Sequence, residues 1–207
     1  MKNQKSIWNK EYKANITKWH KETVSLPEIS KNSLVLELGV GNGKTLKAIL
    51  KQKPKEVVAI DFSIQAIEIS KSNKIFKSVK FIKSDVKSLP FKNNHFDTVV
   101  CYYILNNMTK KDRQIAVNEI YRVLKPKGNL IFEDFAVGDF RQKDTQKTVE
   151  TNTIQNKKGI ICHFFKKTEI VLLFHNFSKI KITLKTTHPI THKPTLKRKI
   201  IQARLIK

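Results

Sequence analysis

The stretch Leu34-Val-Leu-Glu-Leu-Gly39-Val-Gly41-Asn-Gly43-Lys-Thr-Leu constrains this chain more than any other. An apolar run breaks into glycines at alternate positions and then becomes helix-compatible, the pattern of a parallel strand that turns tightly beneath a nucleotide-like ligand. Such a turn needs positive φ and close backbone approach, and a Cβ would obstruct both. Spacing then discriminates among ligands. A phosphate-cradling Walker loop fits the Gly43-Lys44-Thr45 ending, but its first glycine falls on Leu38. A dinucleotide fingerprint would place its third small residue at Lys44. What remains is E-x-G-x-G-x-G, with Glu37 two residues ahead of Gly39. A carboxylate in the loop attracts a ligand that carries positive charge, whereas pyrophosphate wants helix N–H groups and cations.

The following segments alternate between strand and helix patterns. Strands are expected near 34–38, 56–60, 79–83, 96–102 and 129–134, with helices at 44–52, 63–73 and 110–124 between them. That rhythm predicts an α/β fold with a doubly wound parallel sheet. Residues 166–174 read as a further helix, and strands near 178–186 and 197–206 as an antiparallel pair joined through Pro189 and Pro194. Glu56-Val-Val-Ala-Ile60 ends on Asp61, 22 positions after Gly39, where a nucleotide fold offers a carboxylate to ribose hydroxyls. The third strand closes on Asp85-Val86 and the fourth on Tyr102. Ligands in open α/β sheets bind beyond the carboxyl ends of the strands, so this edge collects Gly39 to Gly43, Asp61, Asp85 and Tyr102. Capping of the helices that follow is the alternative role for Asp61 and Asp85.

Taken in order, the glycine loop, Asp61, Asp85-Val86 with Ser88-Leu-Pro-Phe91, His95-Phe-Asp-Thr-Val-Val-Cys-Tyr102, and Glu119 through Lys-Pro-Lys-Gly128 to Asp134 resemble the successive motifs of the class I S-adenosylmethionine (SAM)-dependent methyltransferases. The likeness is to their type 11, ubiquinone/menaquinone-biosynthesis-like branch, and spans residues 32–135. The resemblance implies a Rossmann-like seven-stranded sheet, mostly parallel with an antiparallel C-terminal strand pair and helices on both faces. It implies SAM as cofactor, with Gly39, Gly41 and Gly43 against the methionine moiety and Glu37, or a water, serving its ammonium group. By the same resemblance Asp61 holds the ribose, Phe62 flanks the adenine, Asp85 accepts from the adenine amino group with Val86 beside it, and Tyr102 lies at the same edge. Residues 1–30, with Trp8, Tyr12, Trp19 and His20, are expected either to close over the cofactor as a lid or to pack on the sheet.

Methyl transfer is an in-line displacement that alignment alone accelerates, so a catalytic side chain is optional. A neutral acceptor would still profit from a base. The candidates are Tyr103, Asn106, Asn107 and His163; many type 11 relatives carry a histidine around Asn107, and this chain does not.

The 207 residues, 40% of them hydrophobic, predict one domain: the lid-like segment, a cofactor-binding core at 32–135 and a substrate-side region at 141–207. Cys101 and Cys162 can form neither a disulfide framework nor a four-thiolate zinc site. Pro189 and Pro194 argue against a helical His188/His192 metal pair, so no metal is expected. The first residues lack a signal-peptide core and no apolar run suits a membrane span, which predicts a cytoplasmic protein without a membrane partner.

Charge bears on the acceptor. Lys and Arg number 41 against 17 Asp and Glu, a formal +24, and residues 141–207 alone carry a local +13. Such a surface attracts polyanions, or serves only as a solvated lysine coat. Three functions are therefore carried forward. The first is methylation of a small, anionic metabolite. The second is methylation of tRNA or rRNA through the basic C-terminal region. The third is a non-catalytic SAM- or RNA-binding protein. No RNA-binding module signature and no Asn/Asp-Pro-Pro-Tyr-like tetrapeptide follows the fourth strand, where Cys101-Tyr-Tyr-Ile104 stands, and this favours the small acceptor.

Overall fold

A computed structural model describes residues 4–14, 25–142, 147–188 and 196–207. Helix α1 (Gln4–Ala14) precedes an alternating core: β1 (Leu34–Leu38), α2 (Lys44–Lys51), β2 (Glu56–Asp61), α3 (Ile64–Lys71), β3 (Lys80–Lys83), β4 (Phe96–Tyr102), α4 (Lys110–Val123) and β5 (Leu124–Phe135). Three short strands follow, β6 (Lys147–Glu150), β7 (Thr153–Gln155) and β8 (Ile161–His163), then α5 (Lys167–Leu173), β9 (Lys179–Thr187) and β10 (Arg198–Ile206).

Seven strands form one sheet in the order β3-β2-β1-β4-β5-β10-β9. Pairing is parallel from β3 to β5, and β10 runs against both neighbours. The strand order reverses between β1 and β4, so loops leaving their carboxyl ends diverge and open a crevice there. The expected seven-stranded, mostly parallel sheet is thus present.

Strand alternation distributes the apolar residues over two layers. On one face Leu36, Leu38, Val99, Cys101, Leu130 and Phe132 pack with Val117 and Ile120 of α4 and Ile170 of α5. On the other, Val35, Ala59, Val100 and Ile131 pack with Leu46 and Ile49 of α2 and Ile67 of α3. Helices therefore cover both faces. Local signals set their starts: Ser63 accepts from the Ala66 amide ahead of α3, and Thr109 from the Asp112 amide ahead of α4. Cys101 is fully buried as a small apolar core residue.

The three-stranded sheet β6-β7-β8 was not legible in the sequence. Its strands are three or four residues long, too short for a period-two pattern to register. β5 also begins earlier than expected, at Leu124, because Phe96 pairs with Leu124 before a register shift around the Lys-Pro-Lys-Gly segment. Trp19, His20, Pro189, His192 and Pro194 lie outside the described residues.

Candidate functional site

The crevice is built on the turn after β1. Gly39, Gly41 and Gly43 all have positive φ, at 70°, 54° and 78°. The Gly39 and Val40 amides donate to the Ile60 carbonyl at 2.8 and 2.9 Å, tying the turn to the end of β2. At Gly41 a Cβ would lie 2.9 Å from the Tyr12 hydroxyl, so the bend must stay free of a side chain.

Asp61 ends β2 beneath this turn, 5% exposed. Its Oδ2 accepts from the Gly41 amide at 3.1 Å and its Oδ1 from the Ser63 amide at 2.8 Å. Burial raises its carboxyl to about 6, against the pull of the Ser63, Gly41 and Phe62 amides. It does not cap α3, since Ser63 does that. Phe62 follows it, half-buried, at the start of the same turn.

Glu37 is 2% exposed, and its Oε2 has no hydrogen-bond partner. Burial first, and the charge of Asp61 second, push its carboxyl well above the ordinary range, although the Leu46 amide pulls the other way. A buried, unsatisfied carboxylate oxygen under a glycine turn is stabilised by a cation or a hydrogen-bond donor supplied from outside.

Asp85 follows β3 and makes a tight turn, its Oδ1 accepting from the Lys87 amide at 3.0 Å. No helix starts there, so capping is not its role either. Val86 is buried in the α4-side core. Asp85 Oδ2 faces Lys5 Nζ of α1 at 3.1 Å. The helix is tied on its other flank too: Gln4 donates to the Gly159 carbonyl at 2.9 Å, and Glu11 pairs with Lys158 at 2.6 Å, on the turn between β7 and β8. With Tyr12 against Gly41, α1 spans the crevice from the β2–β3 side to the small sheet. Burial, then Asp61, raises the Tyr12 hydroxyl.

Beyond β4 the chain makes a second polar corner. Tyr102 is nearly buried and its hydroxyl donates to the Ser25 carbonyl at 3.4 Å. Tyr103 has φ 56°, an uncommon conformation for an aromatic residue, held by its amide on the Glu133 carbonyl at 2.9 Å. Its hydroxyl donates to Glu133 Oε1 at 2.5 Å, and Gln202 donates to Glu133 Oε2 at 2.5 Å. The Arg198 guanidinium lies 5.6 Å from the Tyr103 ring centroid, and that of Arg141 stacks 4.4 Å from the Phe135 ring centroid. This corner borders the glycine turn directly, because a Cβ on Gly39 would run into the Ile104 side chain.

Asn106 and Asn107 face into the protein. The Asn106 amide donates to Asp134 Oδ2 at 3.0 Å, while Asn107 Nδ2 donates to the Tyr103 carbonyl at 2.9 Å and to Asn106 Oδ1 at 2.8 Å. His163 is 2% exposed and both ring nitrogens are engaged, Nδ1 with Thr153 Oγ1 at 2.7 Å and Nε2 with Glu169 at 2.8–2.9 Å. Glu169 also meets Arg113 at 3.5 Å. Burial raises the Glu169 carboxyl, but the His163 hydrogen bond and the charges of His163 and Arg113 outweigh it and hold it low.

Sequence reasoning did not single out Glu133, Gln202, Arg198 or Lys5. The adjacent acids Glu133-Asp134 at the carboxyl end of an apolar strand were a usable signal for the first; the others depend on pairing across distant segments. Among the described residues no group of three or more His, Cys, Asp or Glu could hold a metal ion, and no helix is long and apolar enough to cross a membrane.

Comparison with known proteins agrees with this geometry. A family model described as a methyltransferase domain matches residues 36–132. The chain is similar to the ubiquinone/menaquinone biosynthesis C-methyltransferase of Pseudomonas paraeruginosa, 31% identical over 57% of this chain and 48% of that protein. It is also similar to a tRNA N(3)-methylcytidine methyltransferase of Schizosaccharomyces pombe, 25% identical over 82% of this chain and 77% of that one. The chain spans about half the length of several curated relatives it matches. Among solved structures, a SAM-dependent methyltransferase from Methanosarcina mazei superposes with a TM-score of 0.71 at 23% identity, covering 86% of this chain and 94% of that one, a likeness of fold.

Proposed function

Since this chain belongs to the class I SAM-dependent methyltransferases, in their type 11 branch, we propose that it transfers a methyl group from SAM to a small acceptor presented at the Tyr103–Glu133 corner. The residues fit the cofactor: the orphaned Glu37 oxygen and the side-chain-free turn at Gly41 match a ligand with a cationic amino-acid end. When bound, SAM supplies an electrophilic methyl group on a positively charged sulfur.

Each residue then has a task. The turn at Gly39, Gly41 and Gly43 carries the methionine portion, with Glu37 toward the ammonium. Asp61, already fixed by two amides, accepts from the ribose hydroxyls; Phe62 and Val86 flank the adenine, and Asp85 takes its amino group. Tyr102 backs the pocket. Helix α1 excludes water from above, which protects the donor and strengthens the charge interactions beneath it.

The observation that carries the acceptor reading is the Tyr103–Glu133–Gln202 cluster. It is polar, largely buried and next to the glycine turn, so it can meet the polar group of a small molecule. Arg141 and Arg198 at its rim suit an anionic one. Tyr103 is placed to relay a proton as the methyl is transferred, its hydroxyl passing its own proton to Glu133 Oε1 while it takes the acceptor's, with Asn107 holding the Tyr103 backbone in position. His163 stands second as a base, since both of its nitrogens are already committed.

A second reading is RNA as acceptor, favoured by an open basic sheet face described below and by the tRNA methyltransferase likeness. Incubation with methyl-labelled SAM and fractionated extract separates the readings. Label in small molecules supports the first and label in RNA the second. SAM binding with no transfer to any fraction would leave a binding protein and overturn both.

A further inference from the structure

On the face that α2 and α3 cover at β1–β3, the other half of the sheet, β10 and β9, carries a basic track. Alternation fixes which side chains it holds. Ile180 and Ile182 pack into the α4/α5-side core, so Lys179, Lys181, Thr183, Lys185 and Thr187 point to the opposite face, and all five are exposed. On β10, Ile201, Ala203 and Leu205 are in that same core, which turns Arg198, Gln202 and Arg204 toward the lysine side.

Register makes the arrangement unusual. Arg204 stands directly opposite Lys181 in the antiparallel ladder, with no acid between them. Like charges directly opposed across strands cost stability. Among the described residues no acidic side chain pairs with Lys179, Lys181 or Lys185. Lysines on β9 alone would be accounted for as protection of an edge strand. That device does not require arginine on the inner strand at the position facing a lysine; a bound anion relieves the repulsion.

The track also has direction. β10 runs about 27 Å at about 3.4 Å per residue, from Ile206 to Arg198, whose guanidinium lies by Tyr103 at the acceptor corner. At the far end Arg204, which donates to Asn129 at 3.4 Å, lines a cleft with Lys127 and with Lys125, the last already paired with Asp97 at 2.7 Å, and Glu28 stands in the same cleft, so the track ends there. The spacers are threonine hydroxyls rather than exposed leucines or aromatics, which suits phosphates and gives a lipid surface no anchor.

We infer that the β9–β10 face is an RNA-docking surface that lays a phosphate backbone along Lys179, Lys181, Lys185 and Arg204 and leads a nucleotide to the Tyr103–Glu133 corner. This rests on the RNA reading of the acceptor.

The test is fluorescence anisotropy of fluorescein-labelled unfractionated tRNA with the full chain at rising KCl. Lys181→Glu/Lys185→Glu/Arg204→Glu should weaken binding at least a hundredfold and lower the log–log salt slope by about 2 to 3, near 1 per lost contact. The control, Lys47→Glu/Lys51→Glu/Lys71→Glu, removes the same charge from exposed sites on α2 and α3 and should change affinity less than threefold. The neutral Lys181→Gln/Lys185→Gln pair, with its circular dichroism and SAM affinity unchanged, guards against a folding defect and should still lose about tenfold. Equal losses in the two triple variants, no binding by the wild type, or retention on phosphatidylserine vesicles in place of tRNA would each overturn the docking face. SAM calorimetry on the same samples keeps the two levels apart: SAM uptake without tRNA binding sinks only this inference, whereas absence of SAM uptake sinks the methyltransferase reading.

Discussion

Lys5 of α1 pairs with Asp85 at 3.1 Å, so the N-terminal helix grips the carboxylate that the proposed site assigns to the adenine amino group. Lys5 is about half exposed, which limits the pair to at most about 1 kcal/mol. Lys5→Met therefore frees Asp85 and should raise SAM affinity by up to about fivefold, with the effect fading at high salt. Calorimetry at two salt concentrations measures it. Weaker binding would mean that Lys5 assists the donor instead of competing with it.

The turn at Gly41 is the most sensitive point for the donor. Gly41→Val puts a branched side chain at φ 54° and against the Tyr12 hydroxyl. SAM affinity should fall at least a hundredfold while the circular dichroism spectrum stays native. Unchanged affinity would remove the glycine turn from the site.

Acid pH should act on the site through Asp61, whose carboxyl sits at about 6. A cationic donor favours the ionised form, so SAM affinity should rise between pH 5 and pH 7, and Asp61→Asn should flatten that profile. Stability of the free protein runs the other way. The folded state keeps a proton that the unfolded chain has released, so between about pH 4 and pH 6 stability falls as pH rises. A shift of about two pH units corresponds to about 3 kcal/mol. Urea titrations across this window that showed rising stability would contradict the burial argument for this group.

Two candidate bases separate by what their loss disturbs. Tyr103→Phe removes the hydroxyl on Glu133 and should lower turnover by about 10²-fold or more with SAM affinity intact. His163→Ala removes a buried ring that bonds both Thr153 and Glu169, leaving Glu169 only its weaker contact with Arg113, at a cost of about 1–3 kcal/mol. It should lower the melting temperature while the folded fraction binds SAM normally. A His163 variant that stays stable yet loses turnover would restore the histidine as the base.

The glycine spacing, the acids at strand ends and the strand–helix rhythm made the mostly parallel sheet and the residues at its carboxyl edge legible, because each is a local pattern with a backbone cause, whereas the strand order came only from the fold. Positive φ at Gly39, Gly41 and Gly43 follows from short-range sterics alone. Only the tertiary structure decided the rest. Lys5 reaches Asp85 across 80 positions, and Glu133 meets Tyr103 and Gln202 from three separate segments. Whether a lysine is a solvated charge or part of a track depends on register, since Lys181 faces Arg204 only once β10 turns back along β9. Such contacts come from long-range chain closure, which no local window of sequence encodes.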